Sequence, residues 1–436
     1  MWNEDRKMRY LNPAHICLPD FNKVDGTKWA TVACDQFTSQ PEYWDAAYEL
    51  VGDAPSTLAL MLPEAFLEHG DQESKIQKIN QNMRDYLKDV LISHNGSMIY
   101  LERVQSDGRV RRGIIGKIDL DLYDYHAGAD TLIRATEKTV IERIPPRVNI
   151  RRGAVVEMPH IMMLIDDPER RIIEVTAANK EKYPVAYDFD LMAGGGHVTG
   201  RFIDADEVER INCELEALAT PEKMKEKYGM DAAPLLFAIG DGNHSLAGAK
   251  ALYEEIKAEI GVEAAREHPA RYALCEMVNL HDDALEFEPI YRVLFGVDVN
   301  DFLEGFKVYA NTPRFDYGKE PQKVEYLFGD THGEIYVNLP ESRLAVGSTQ
   351  RFVDAYMQSH PEVTCDYIHG LDIVKQLAQK ENSIALYFDG MAKDELFATV
   401  IQDGALPRKT FSMGHAEDKR YYIKCKNRVS CWKSFL

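Results

Sequence analysis

Leu235-Leu236-Phe237-Ala238-Ile239-Gly240-Asp241-Gly242-Asn243-His244-Ser245 is the stretch on which the reading of the whole chain turns. An apolar run of strand length enters a tight glycine turn, and Leu246, Ala249, Tyr253, Ile256 and Ile260 then repeat at the spacing of one helical face. A strand, a turn and a helix in that order aim the unpaired N–H groups of the first helical turn at one point, which attracts anions and phosphate above all. Asp241 is placed to bind a metal ion or accept a proton, and His244 to donate to a phosphate oxygen. Read as local structure alone, Asp241 or Asn243 caps the helix and His244 packs.

Upstream, Trp29 to Cys34 reads as a strand running into Asp35, with Ser39-Gln40-Pro41-Glu42 as a capping box. Asp35 then stands at the strand end where open sheets bind ligands. Strands are also expected at Met98 to Val104 and Val110 to Ile118, joined by Ser106-Asp107-Gly108, and Ile76, Ile79, Met83, Leu87, Val90 and Leu91 predict a helix over Gln72 to Ser93. Downstream, a helix from Asp206 and a second from Thr220-Pro221-Glu222 precede the central turn. Strands near Tyr272 to Asn279, Lys323 to Phe328, Glu334 to Asn338 and Ile384 to Phe388 alternate with helices near Ser348 to Gln358, Leu371 to Gln379 and Ala392 to Ile401. The fold class is α+β, a mixed α/β chain, with an N-terminal half over 1–205, a C-terminal half over 206–436 and a site between them.

The 436 residues carry 51 Lys+Arg against 71 Asp+Glu, a net charge of -20. So acidic a surface repels phosphate backbones and anionic lipid, which points to a small-molecule substrate, with neither nucleic acid nor membrane as partner. A mean hydropathy of -0.36, no apolar run of spanning length and no secretory signal predict a cytoplasmic protein. Seven scattered cysteines without CxxC spacing read as reduced thiols.

Basic residues are nonetheless concentrated in two places. Arg134, Lys138, Arg143, Arg147, Arg151 and Arg152 face two acids in one segment, and Arg408, Lys409, Lys419, Arg420, Lys424, Lys426 and Arg428 face two in the other. A charge run is ordinarily a solvated face, but rigid turns at Pro145-Pro146 and Pro407 suit these cations to a nucleotide or pyrophosphate. Arg147, Arg151 and Lys409 are expected to converge on one pocket. Other motifs fail on their chemistry. Gly195 to Gly200 lacks the Lys and hydroxyl of a P-loop, since Arg201-Phe202 follow, and reads as a glycine-rich turn with His197. His281-Asp282-Asp283 reads as a loop, and Cys365 with His369 lacks an activating context.

Taken in order, Asp35, Ala135-Thr136, Gly240 to His244, Glu288-Pro289-Ile290-Tyr291-Arg292-Val293-Leu294 and Leu406-Pro407-Arg408-Lys409-Thr410 resemble the boxes of domain-of-unknown-function family 1015 over nearly the whole chain. The central box of that family resembles the phosphate-binding box of the ParB and sulfiredoxin superfamily, which includes free serine kinases. The resemblance implies a ParB-like core with large insertions. It makes Asp241, Gly242, Asn243 and His244 a phosphate group, Asp241 also the Mg2+ ligand, Asp35 a general base and Lys409 an anion clamp. Ser245 replaces the family's usual Arg, so the cation must come from Arg147, Arg151 or Arg292; Tyr291 replaces a usual His. The implied activity is phosphoryl transfer from ATP, ADP or pyrophosphate to a small metabolite such as free L-serine. The alternatives are a nucleotide-responsive binding protein, homodimeric in the ParB manner, and a metal-dependent phosphohydrolase.

Overall fold

In the computed structural model, the strand ending at Asp241 lies inside a mixed nine-stranded sheet; the structure describes residues 9–38, 40–66, 71–126, 128–158, 160–312, 320–414, 418–419 and 423–427. The order across this sheet is Tyr123–Asp124, Ile133–Ala135, Phe237–Asp241, Met162–Ile165, Tyr272–Asn279, Val110–Asp119, Ile99–Val104, His197–Phe202 and Val185–Asp190. Both faces are buried, so neighbouring side chains serve opposite cores. Tyr100 and Ile114 join Met163, Phe237, Ile239 and Met277 on one face, while Ile99, Leu101 and Ile115 join Leu274 on the other.

Six helices matter to this part of the chain: α1 (Pro41–Val51), α2 (Gln72–Asp89), α3 (Ile144–Arg152), α4 (Ala205–Leu218), α5 (Pro221–Tyr228) and α6 (Asn243–Ile260). Helix α6 buries Leu246, Ala249 and Tyr253 in the first core beside Ile211 and Leu215 of α4. It also packs on α3 through Gly248, where a Cβ would stand 3.2 Å from that of Arg147. A four-stranded sheet of Leu91–Ser97, Ala14–Pro19, Cys425–Asn427 and Val156–Glu157 closes over the second core, which takes in Ile79 and Met83 of α2.

The chain divides into two compact units: unit 1 holds residues 1–135, 139–285 and 414–436, and unit 2 holds 136–138 and 286–413. A boundary near residue 205 therefore falls inside unit 1, because strands from before and after it interleave in one sheet. Unit 2 is built on a six-stranded antiparallel sheet whose main order is Thr331–Val337, Gln322–Phe328, Ser383–Tyr387, Phe287–Phe295 and Thr364–His369, with Phe411–Met413 pairing Phe287–Phe295 off this path. Its helices include α7 (Ala345–Ser359) and α8 (Glu395–Asp403).

Several local expectations are corrected. Trp29 to Ala33 is buried and Cys34 half-buried, but the segment forms no strand: Trp29 O accepts from Thr57 N, Thr57 Oγ1 and Ser56 Oγ, and Ala33 N donates to Lys419 O, so no neighbouring strand is used. Helix α2 stops at Asp89, and Leu91–Ser97 is a strand on Ala14–Pro19. The apolar stripe runs on because Val90, the cap of α2, and Leu91, the first residue of the strand, pack on the same core. Ser39 lies outside the described residues, and α1 begins at Pro41 after Gln40 with no side-chain cap. His197 to Gly200 is strand, not turn, and Gly200 is required where a Cβ would stand 2.3 Å from the Tyr187 ring. Cys365 and His369 also lie on a strand, and burial pushes the Cys365 thiol up to about 11.

Candidate functional site

Asp241 ends its strand opposite Met162, across a register shift, and this antiparallel pairing brings the turn beside His160. Gly242 follows at φ +83, and a Cβ there would stand 2.2 Å from His160 O. Only glycine permits both the left-handed backbone and the contact. Asp241 Oδ1 accepts from Gly242 N at 2.8 Å, so the aspartate folds onto its own turn and leaves α6 without a side-chain cap.

Lys419 places its ammonium 3.2 Å from Asp241 Oδ2 while its carbonyl accepts from Ala33 N. One residue thus ties the Asp241 turn to the segment that carries Asp35. Across from it, Asp35 Oδ2 lies 3.6 Å from Nε2 of the buried His160, and Gln36 donates to Asp35 Oδ1 at 2.9 Å. Burial alone would raise the Asp35 carboxyl, but His160, Gln36 and Lys419 hold it well below the usual carboxylate range. Burial likewise opposes charge on His160, and Asp35 with Asp241 overcomes it, so the imidazolium form is favoured. The result is an ion pair close to the phosphate-type turn.

His244 is neutral. Burial, then the positive charges of Arg147 and Arg143, push its pKa down to about 4. Its Nε2 accepts from Val140 N at 3.3 Å, which puts the ring proton on Nδ1 as a donor.

Helix α3 supplies the cations. Arg151 Nη2 donates to Ser245 Oγ at 2.8 Å and Arg151 Nη1 lies 3.2 Å from Glu157, while Arg147 pairs with Glu64. Ser245, the position where the resemblance expects an arginine, is therefore where Arg151 delivers its guanidinium. Both arginines line a cleft of about 130 Å³ whose walls include Leu60, Leu62, Met83, Pro146, Ile150, Val156, His160 and Ser245. The cleft is largely apolar with a few charged groups at one place, the character of a small-molecule site.

Arg292 and Lys409 belong to unit 2, whereas Asp35, Arg147, Arg151, Asp241, Gly242, Asn243 and His244 belong to unit 1. Arg292 is corrected as an anion donor: it is 0% exposed, and its guanidinium serves Gln350 Oε1 and the carbonyls of Ile290, Arg408 and Lys409. Lys409 is exposed on a left-handed backbone at φ +53. Sequence reasoning missed His160, a lone histidine before an apolar run, and counted Lys419 only as one cation of seven. Other members of the basic runs are structural: Arg134 donates to Thr131 O and Ala233 O, and the buried Lys426 donates to Pro269 O. Arg420 and Arg428 lie outside the described residues.

Among the described residues no group of three or more metal-ligating side chains occurs. Both Asp241 oxygens are engaged, so a magnesium cage built by the protein does not fit this turn. No helix among them is long and apolar enough to cross a membrane.

The family model described as a protein of unknown function (DUF1015) matches residues 19–431. No curated protein matches the sequence. Among solved structures, a free serine kinase mutant in complex with ADP is 12% identical, with 74% of this chain and 93% of that chain covered at a TM-score of 0.38. A free serine kinase in complex with AMP is 13% identical, with 72% and 92% covered at 0.37. A conserved hypothetical protein from Pyrococcus furiosus is 13% identical, with 69% and 90% covered at 0.33. These superpositions are loose.

Proposed function

The chain belongs to the family described as protein of unknown function (DUF1015), and we propose that its Asp241 turn binds the phosphates of a nucleotide or pyrophosphate for transfer to the hydroxyl of a small metabolite. Free L-serine is the first acceptor to try. The observation that carries this reading is the combination at the α6 N-terminus of Arg151 on Ser245, Lys419 on Asp241 and a neutral His244, beside an Asp35 held ionised by His160.

Phosphoryl transfer needs positioning and charge neutralisation more than covalent help. The first-turn N–H groups of α6, Arg151 and Lys419 neutralise phosphate oxygens, and His244 Nδ1–H donates a further hydrogen bond. The acceptor hydroxyl oxygen bonds to phosphorus as the bridging P–O bond breaks, and the proton passes to Asp35. Its low basicity suits a reaction in which the nucleophile is deprotonated late. Mg2+ arrives on the donor's phosphates, since it commonly keeps phosphate and water as its main ligands and takes one or two from protein.

The test incubates the full chain with L-serine, Mg2+ and ATP, ADP or pyrophosphate in turn and follows phosphoserine by phosphorus NMR. Product with one donor, lost about 100-fold or more in kcat for Asp35→Asn, supports the reading. No product with any donor sinks the serine version. Full activity in both Asp241→Ala and His244→Ala sinks the site.

A further inference from the structure

Given the phosphoryl transfer proposed above, on which this step rests, we propose that the cleft beside the Asp241 turn selects the acceptor by its body, and that the acceptor is an alcohol carrying an aliphatic group of about five or six carbons. The cleft measures about 130 Å³, close to the ~150 Å³ apolar cavity that takes up benzene, so a body of that size fills it. It lies wholly within unit 1. Cys34, the neighbour of Asp35, lines it together with His160 and Ser245, so a hydroxyl on a body seated there lies near Asp35 and the first turn of α6.

The wall suits hydrocarbon better than charge. Leu60, Met61, Leu62, Met83, Ile150 and Met158 supply aliphatic surface, and the methionines adapt to an irregular guest. Glu64 answers Arg147, and Glu157 lies 3.2 Å from Arg151 and 3.6 Å from Lys426, so neither carboxylate is left over for an ammonium group. A zwitterion such as serine has no aliphatic group to bury there once its hydroxyl is at Asp35, whereas each methylene of an alkyl chain gains by leaving water. Among the described residues that line the cleft none is Phe, Tyr or Trp, so a nucleobase finds no such aromatic face to stack on.

The same wall is fastened to the segment that carries the base. Asn82 of α2 donates to Ala59 O at 2.8 Å and Glu64 N donates to Cys34 O at 2.8 Å, so Leu60 to Leu62 are held between α2 and the residue next to Asp35. Helices α2 and α3 come together at Gly153, where a Cβ would stand 2.7 Å from Asn80 Nδ2, and Met83 of α2 and Ile150 of α3 both reach the cleft. A cleft of fixed size beside a fixed base measures its guest. The transfer balances as before: the alcohol oxygen bonds to phosphorus, the donor's bridging P–O bond breaks, and the proton passes to Asp35.

The experiment first titrates the full chain, with no phosphoryl donor present, with the primary alcohols from ethanol to n-octanol and follows the carbon-13 methyl signals of Met61, Met83 and Met158 by NMR. Affinity should rise about fourfold with each added methylene and level off beyond about six carbons. Leu62→Gln and Ile150→Gln, both at half-buried positions, should each weaken the best binder about fivefold or more. An affinity that ignores chain length, or that neither variant weakens, overturns the proposal. So does displacement of the alcohol by adenosine, which would make the cleft the donor's base pocket. The second arm runs the phosphoserine assay's donors with the best-binding alcohol as acceptor and follows its phosphate ester. With any active donor its kcat/KM should exceed that of L-serine about tenfold or more, and a preference for serine overturns the proposal. Absence of product from every donor with both acceptors sinks the transfer on which the proposal rests, a failure that the binding arm keeps separate.

Discussion

Arg151 in unit 1 and Arg292 in unit 2 are both cations that the sequence offers to a phosphate, and the structure uses them in opposite ways. Arg151 sits on a surface helix, lines a cleft, and shares its guanidinium between Ser245 and Glu157. Arg292 sits on a strand with no solvent access and meets four protein acceptors. A guanidinium whose N–H groups are spent on carbonyls stabilises a fold; one that lines a cleft can meet a ligand.

The largest effect separating the two is expected at Arg292. Arg292→Met leaves several buried carbonyls without donors and should cost about 3 kcal/mol or more in urea unfolding. Arg151→Ala should cost less stability than Arg292→Met, because Lys426 stays 3.6 Å from the buried Glu157 that it leaves, and should weaken phosphate or nucleotide binding about tenfold. Reversal of that pattern would break the comparison.

Gly242→Ala comes next, at about 2 kcal/mol or more, because a Cβ would meet His160 O while the backbone is left-handed. Its thermal unfolding should fall together with ligand binding, unlike that of Arg151→Ala.

Asp166 provides a smaller, pH-dependent test at the other end of the strand that follows His160. Burial would raise its carboxyl, but His281 at 2.7 Å, Lys227 at 2.8 Å and Tyr228 hold it down to about 2. Its native pKa lies below its unfolded one, so its contribution is complete above the ordinary carboxylate range and is lost as the pH falls through about 2. That contribution is about 2 kcal/mol. Asp166→Asn should flatten the stability curve between those limits, and an unchanged slope would remove the assignment.

The last test is at His244, whose folded pKa of about 4 lies below its ordinary value. The unfolded chain binds the proton first, so this residue's contribution is present above the ordinary histidine range and declines as pH falls toward 4. Proton NMR of the ring should show the low value in the free protein and a rise when inorganic phosphate is added. A pKa that ignores phosphate would place the anion elsewhere.

Short-range patterns were legible in the sequence: the strand, glycine turn and helix at Asp241, the hairpin after Val104, and α4 followed by α5. Each is decided by neighbours within one turn or one hairpin, through periodicity and the backbone freedom of glycine. Arg147 and Arg151 were legible as candidates because a basic run follows the rigid Pro145-Pro146 turn; that this turn opens a helix, α3, with both arginines one turn apart, only the structure shows.

Tertiary structure alone decided which charges meet. The carriers of the Asp241 site are 35, 151, 160, 241, 244 and 419, brought together by strand pairing and by a single segment near the C-terminus that reaches Ala33. It also decided that Arg292 is a structural group, since the carbonyls that consume it come from residues far away in sequence. Composition fixes how many cations there are; burial and the hydrogen bonds available on arrival fix which of them can meet a ligand.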